Sequence, residues 1–122
     1  MSDKTRYNDA ELSEFEAIID EKISKAQKEL DYYLEQIRIR SESDDSKLKG
    51  VDDAAGSQES EQLQIRAARQ TKLIRHLDNA KLRIKNKVYG ICRETGDLIS
   101  KERLKAVPHA TLSIKAKQAK FK

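Results

Sequence analysis

The chain has 122 residues, 38% of them charged and 5% aromatic, with no Trp, one Pro, one Cys and a formal net charge of +4. This is room for one ordinary domain, but 37% hydrophobic residues cannot wrap a thick spherical core; they suit the thin seam of a helical hairpin. One cysteine excludes an intramolecular disulfide, no run approaches the ~20 apolar residues of a membrane span, and Met1–Asp9 lacks a signal-peptide core, so a cytoplasmic, membrane-free, mainly α protein is expected.

Asn8 and Asp9 offer N-caps for a first helix, with Glu11 and Glu14 placed to complement its dipole. Leu12, Phe15, Ile19, Ile23, Ala26, Leu30, Tyr33 and Ile37 then recur every three or four residues. That spacing predicts one apolar stripe on a helix of roughly 35 residues, on the order of 50 Å long. Ser41–Gln58 breaks the pattern: it is polar and holds Gly50 and Gly56. Residues 41–61 carry seven acids against Lys47 and Lys49. A second stripe runs through Leu63, Ala67, Gln70, Ile74, Leu77, Lys81, Ile84 and Val88, with Gln70 and Lys81 as polar interruptions. Two long amphipathic helices joined by a short turn region pair with each other. The expected fold is a long antiparallel coiled-coil hairpin over residues 1–87, with an acidic tip at about 44–58.

Past Asn86 the texture changes, and residues 88–122 are expected to form a small knob with a short terminal helix and a basic tail. Lys87–Cys92 and Gly96–Ser100 read as two short extended pieces around a turn. Ser100 begins a short helix that Pro108 stops, and Thr111 or Ser113 caps a last one. With cysteine at Thr95, Ser113 and Ala116 as well as at Cys92, the segment would read C-x-x-C-(x17)-C-x-x-C, the spacing of a tetrahedral zinc site. Only Cys92 is a thiolate donor. The knob is thus expected to lack zinc and to be held by Val88, Tyr89, Ile91, Leu98, Ile99, Leu104, Val107, Leu112 and Ile114.

These residues resemble the DksA/TraR family of bacterial transcription regulators. The likeness is carried by Tyr89–Gly90–Ile91–Cys92, by Gly96 and Ile99, by Arg103–Leu104–x–Ala106–x–Pro108, and by the end from Leu112 to Lys117. It is ungapped from about Lys49 to Lys117 and extends over the first helix by pattern. The resemblance implies direct binding of a monomer to RNA polymerase, with the coiled-coil tip inserted into the secondary channel to modulate promoter-complex stability. It implies no sequence-specific binding of DNA. Degenerate fingers occur in the family, with a hydrophobic frame in place of the metal.

The family tip reads D-x-x-D-x-A, and here Lys49–x–x–Asp52–x–Ala54 follows it with the first acid replaced by lysine. Asp52, Asp53 and Ala54 are therefore the expected acting residues at the tip, although Asp52 also suits an N-cap of the second helix. Arg69 matches a polymerase-rim contact; a solvated helix charge is the other reading. Family members cooperate with guanosine tetraphosphate, the alarmone of the stringent response, through three basic side chains. The aligned residues here are His76, Val107 and Lys117, of which only Lys117 keeps a permanent cation. An imidazole, with an ordinary pKa of about 6.5, carries little charge near pH 7. The implied response to the alarmone is weak or absent.

Other chemistry has little support. Cys92 beside Arg93 could be a redox thiol or a small apolar filler, and His109 with Cys92 and Asp97 has no established metal-ligand spacing. No phosphate loop, nucleophile elbow or paired-acid frame is present, and no enzyme is expected. Two alternatives to a polymerase-binding regulator stand: a helical-hairpin adaptor for another protein, and a nucleic-acid binder using the Lys-rich C-terminus, which has Phe121 as its one aromatic.

Overall fold

In the computed structural model, residues 5–47 and 54–120 are described, with side chains placed for 5–42 and 58–119. The fold is mainly α, a helical hairpin with a small C-terminal knob, in the order α1 (Asp9–Lys47), α2 (Ala54–Lys85), α3 (Lys101–Ala106) and α4 (Ile114–Lys120). No helix among the described residues is long and apolar enough to cross a membrane.

A reciprocal capping box starts α1. Asn8 Oδ1 accepts from the Glu11 N–H at 2.8 Å, and the Glu11 carboxylate accepts from the Asn8 N–H at 2.9 Å, which satisfies two donors that a helix start leaves open. Helix α1 then runs on to Lys47, and α2 is already helical at Ala54. The expected interruption at 41–58 is therefore narrower. Polar Ser, Glu and Asp can continue a helix once an apolar stripe has nucleated it, and Gly56 costs only about 1 kcal/mol relative to alanine.

The chain divides into two compact units, one formed by Ser24–Ile74 and one by Met1–Ile23 with Arg75–Lys122. In the first, the two helices run antiparallel. Glu29 accepts from Gln70, and Arg40 pairs with Glu59, so eleven residues along α1 correspond to eleven back along α2. Ala26 and Ala67 are buried, whereas Leu30, Tyr33, Ile37, Leu63 and Ile74 are half-buried. Gln70 is half-buried as well, and its amide is matched with a carboxylate rather than left dry.

The other unit holds the larger core. Leu12, Phe15 and Ile19 of α1 and Leu77, Ala80 and Ile84 of α2 are buried together with Tyr7, Tyr89, Cys92, Ile99, Leu104, Ala110 and Ala116. Burying each of the larger apolar side chains stabilises by about 1.5–3 kcal/mol. Helix α2 ends in a Schellman motif: the N–H of Lys87 donates to Ile84 and that of Val88 to Arg83. The left-handed position is taken by Lys87 (φ 65°) rather than by glycine, and its ammonium pairs with Asp9 at 2.6 Å. This turn takes Val88 off the apolar stripe and leaves it 46% exposed, against expectation. Ile114 is also exposed, because it is the first residue of α4 and Ala116 takes the inward face.

The two expected extended pieces shrink to one antiparallel bridge, Ile91 with Leu98. Ile99 N–H donates to Gly90 and Cys92 N–H to Asp97, but the next donor, Arg93 N–H, turns away to Thr111. The pairing stops there. Ser100 caps α3 by accepting from the Arg103 N–H, and α3 ends at Ala106, two residues before Pro108.

Candidate functional site

The four positions with zinc-finger spacing come together in the knob. The N–H of Gly96 donates to the Cys92 carbonyl at 2.9 Å, and Gly96 itself has φ +78°, a conformation that favours glycine. This closes a tight turn around the sulfur. Cys92 is 1% exposed, and desolvation, the largest influence, raises its pKa. Donors pointing at Sγ outweigh that: the Thr95 hydroxyl, then the backbone N–H groups of Ser113, Thr95 and Glu94. They bring the thiol down to about 6. The Ser113 N–H approaches the sulfur at 3.4 Å. The Ser113 hydroxyl meanwhile accepts from the Ala116 N–H at 3.1 Å and caps α4.

This donor set does not fit structural zinc. A closed zinc site needs four thiolate or imidazole ligands near 2.0–2.3 Å, and the four positions here hold one thiol, two hydroxyls and a methyl group. The Thr95 oxygen already accepts from the Asp97 N–H, and the Ser113 oxygen from Ala116. Among the described residues, no three His, Cys, Asp or Glu side chains converge as metal ligands.

Packing organises the same knob from an unexpected side. Tyr7, ahead of α1, is 5% exposed and donates its hydroxyl to the Ile99 carbonyl. Its ring meets Phe15 edge-on at 5.5 Å between centroids, and Phe15 meets Tyr89 at 5.3 Å. The Tyr89 hydroxyl donates to the Pro108 carbonyl at 2.8 Å, and burial raises its pKa. Aromatic pairs of this kind contribute about 0.5–1.5 kcal/mol beyond their buried area. Nothing in the spacing of the helical stripes marks Tyr7, because it precedes the first helical turn.

The remaining expected residues separate. Asp52 and Asp53 lie outside the described residues, as does Lys49, and Ala54 is the first residue of α2. Arg69 is exposed on α2, in the Ser24–Ile74 unit. His76, Val107 and Lys117 do share one place: all three line a pocket of about 440 Å³. The alignment missed what else lines it, namely Arg83, Arg93, Arg103 and His109. Arg83 follows His76 by two helical turns and could have been read from the period; Arg93 and Arg103 arrive through the knob's tertiary path. Lys105 and Lys115 are not among the lining residues.

The model of the family described as "Prokaryotic dksA/traR C4-type zinc finger" matches residues 87–120, the segment that carries the knuckle. Residues 87–120 carry this family's finger frame, and the chain is similar to the DksA/TraR family. It is 42% identical over 67 residues to the RNA polymerase-binding transcription factor DksA of Caulobacter vibrioides, in each of two strains, covering 54% of this chain and 47% of the relative. The chain thus matches about half the length of these curated relatives. The structure of transcription factor DksA2 from Pseudomonas aeruginosa superposes with a TM-score of 0.79 over 92% of this chain and 84% of that one, at 24% identity, a likeness of fold. No catalytic family is indicated. Relative to a C4-type finger, this chain has one ligand cysteine, Cys92.

Proposed function

We propose that this chain regulates transcription by binding bacterial RNA polymerase directly, with the hairpin tip, Asp52 and Asp53 together with Ala54 at the start of α2, acting in the secondary channel. The observation that carries the reading is the 42% identity, over 67 residues, to factors named as RNA polymerase-binding. The fold likeness and the preserved knuckle frame support it. Arg69, exposed on α2, is proposed as a contact at the polymerase rim. The protein acts in the cytoplasm as a monomer, without sequence-specific binding of DNA and without zinc.

The response to guanosine tetraphosphate is proposed to be weak or absent. Val107 and His76 supply no permanent cation where the family uses basic side chains, and two of the pocket's guanidiniums are engaged by backbone. Arg103 Nε donates to the Leu112 carbonyl at 2.9 Å and Arg83 to that of His109 at 3.4 Å. Charge-assisted bonds carry most of a pyrophosphate's affinity, so the missing cations at Val107 and His76 weaken the site.

Co-purification with tagged protein tests the reading. Core polymerase subunits are expected to be recovered, and the protein is expected to change the lifetime of promoter complexes formed by purified polymerase. Recovery of an unrelated protein alone would point to an adaptor, and salt-sensitive nucleic acid alone to a nucleic-acid binder.

A further inference from the structure

In the Ser24–Ile74 unit the two helices line an open groove of about 890 Å³. Arg40 and Glu59, paired with each other, line it as well. The next interhelix bond back along the hairpin is that of Gln70 with Glu29. Positions 29, 33, 36 and 40 of α1 and 59, 62, 66 and 70 of α2 recur every three or four residues, so each set follows one helix face. Tyr32 is 60% exposed, the most exposed large apolar side chain among the described residues. Its ring meets that of Tyr33 edge-on, 5.8 Å between centroids. Gln36, Gln62 and Arg66 line the same groove, and their side chains have no hydrogen-bond or ion-pair partner among the described residues.

Lys25 and Lys28 precede Tyr32 by seven and four residues, which puts all three on one face of α1. Both lysines are exposed, and neither has an ion-pair partner among the described residues. The neighbouring acids are engaged elsewhere: Glu29 with Gln70, Asp31 with Gln27 and Glu59 with Arg40. Glu61 is the one acid lining the groove without a partner among the described residues. Three free cations therefore flank an exposed ring and two free amides. A face kept charged for solvation needs neither the ring nor the amides, and an acidic protein surface would answer the cations alone. The strip from Lys25 to Gln36 runs about 16 Å along the helix and is open along one side, so it tracks a chain rather than enclosing a small molecule. A chain with a phosphate at each link and a flat base between phosphates matches all of these groups. A duplex keeps its base faces inside the stack, so the ring selects a single strand.

We propose that this face of the hairpin, formed by Lys25, Lys28, Tyr32 and Gln36 of α1 with Gln62 and Arg66 of α2, binds single-stranded nucleic acid. Tyr32 stacks on a base, the three cations hold phosphates, and the two amides contact base or sugar edges. Every base has a π-face, so the binding tolerates any sequence, and its phosphate contacts make it sensitive to salt. The inference goes beyond direct binding to polymerase, and it uses neither the C-terminal lysines nor the pocket beside the knob.

The test is fluorescence anisotropy with the whole chain and three labelled probes of one mixed sequence, each about twelve nucleotides long: an RNA strand, a DNA strand and the DNA duplex. Single strands are expected to bind, and the duplex several-fold more weakly. Three phosphate contacts on a single strand give a slope of about −2 in log affinity against log salt, so binding should weaken about twentyfold between about 50 and 200 mM KCl. Tyr32→Ala should weaken binding about fivefold or more, and Tyr32→Phe should keep it. Lys25→Gln together with Lys28→Gln should reduce the salt slope by about 1.4. All three positions are exposed, and circular dichroism checks that each variant keeps its helix content. Binding lost in Lys115→Gln, Lys117→Gln and kept in Tyr32→Ala would assign it to the basic tail and overturn the proposal. Equal affinity for duplex and single strand would overturn it as well, and so would absence of binding to either strand at the lower salt. Binding of either strand that depends on Tyr32 supports it, and the tighter of the two identifies the polymer. No polymerase enters the assay, so its outcome is independent of the regulatory reading.

Discussion

A Cβ added at Gly90 would stand 2.7 Å from Cε2 of Tyr7 and 3.2 Å from a methyl of Leu104. Gly90 also has φ +81°, so alanine there meets backbone strain and a ring held by Phe15 and by the Ile99 carbonyl. Gly96, at φ +78°, has nothing within 4 Å of the same added atom. Gly96→Ala should cost about 1–2 kcal/mol, the left-handed term alone. Gly90→Ala should cost clearly more. Urea denaturation of the two variants measures the difference, and equal costs would show that Tyr7 does not press on Gly90.

Tyr7 itself divides into a hydroxyl and a ring. Tyr7→Phe should lose about 1 kcal/mol, the usual net value of a hydrogen bond. Tyr7→Ala also leaves a cavity against Phe15 and should lose about 3–5 kcal/mol. If thermal melting of Tyr7→Ala matched that of wild type, the aromatic chain through Phe15 to Tyr89 would carry no stability.

Metal analysis of protein purified without chelator should find less than about 0.2 zinc per chain, an adventitious level for a site with one thiolate. Structural zinc contributes on the order of 10 kcal/mol in small metal domains, so a strong chelator should shift melting only if zinc is present. No shift is expected. Stoichiometric zinc would contradict the proposed metal-free knob.

Replacing Asp52 with Asn removes the charge and keeps capping ability, since Asn and Asp rank alike at N-caps. Stability should be within about 0.5 kcal/mol of wild type, the usual range away from special features. Binding to polymerase should persist while the effect on promoter-complex lifetime falls. Full activity in a transcription assay would shift the tip's action to Asp53.

Acidification should destabilise the knob-bearing unit through His109. Its pKa is held below the ordinary 6.5 in the folded state, by burial first, so the unfolded chain binds more protons as pH falls through about 6.5. Stability from this group is present above that pH and declines below it. His109→Gln should flatten that limb of a melting-temperature profile between pH 7 and 5. An unchanged acid limb would assign the loss to other groups.

Much of the helical architecture was legible because periodicity and caps are local. The spacing of Leu12, Phe15, Ile19 and Ala26 marks them for burial and they are buried; Ser100 caps α3 as expected, and of the two candidates for the last helix, Thr111 and Ser113, it is Ser113 that caps it. The knuckle positions were legible from their spacing, and the fold brings them together. Val88 and Ile114 misled because hydrophobicity does not reveal a left-handed turn or which face a helix start presents. Tyr7, Arg93 and Arg103 were illegible for a different reason. Their partners are far away in sequence, and no spacing rule links Tyr7 to Ile99 or Arg93 to Arg83.

The hydrogen bond from Tyr7 to Ile99 spans 92 residues, which has a consequence for the order of folding. The Ser24–Ile74 unit is one continuous stretch, so a growing chain can form it as soon as it emerges. The other unit is discontinuous: its first strip of chain, Met1–Ile23, is synthesised early and must wait for the knob that covers it. Closing so long a loop is slow relative to local helix formation. During synthesis Tyr7, Leu12, Phe15 and Ile19 are therefore left without their tertiary partners, a window in which the nascent chain is open to chaperones and to aggregation.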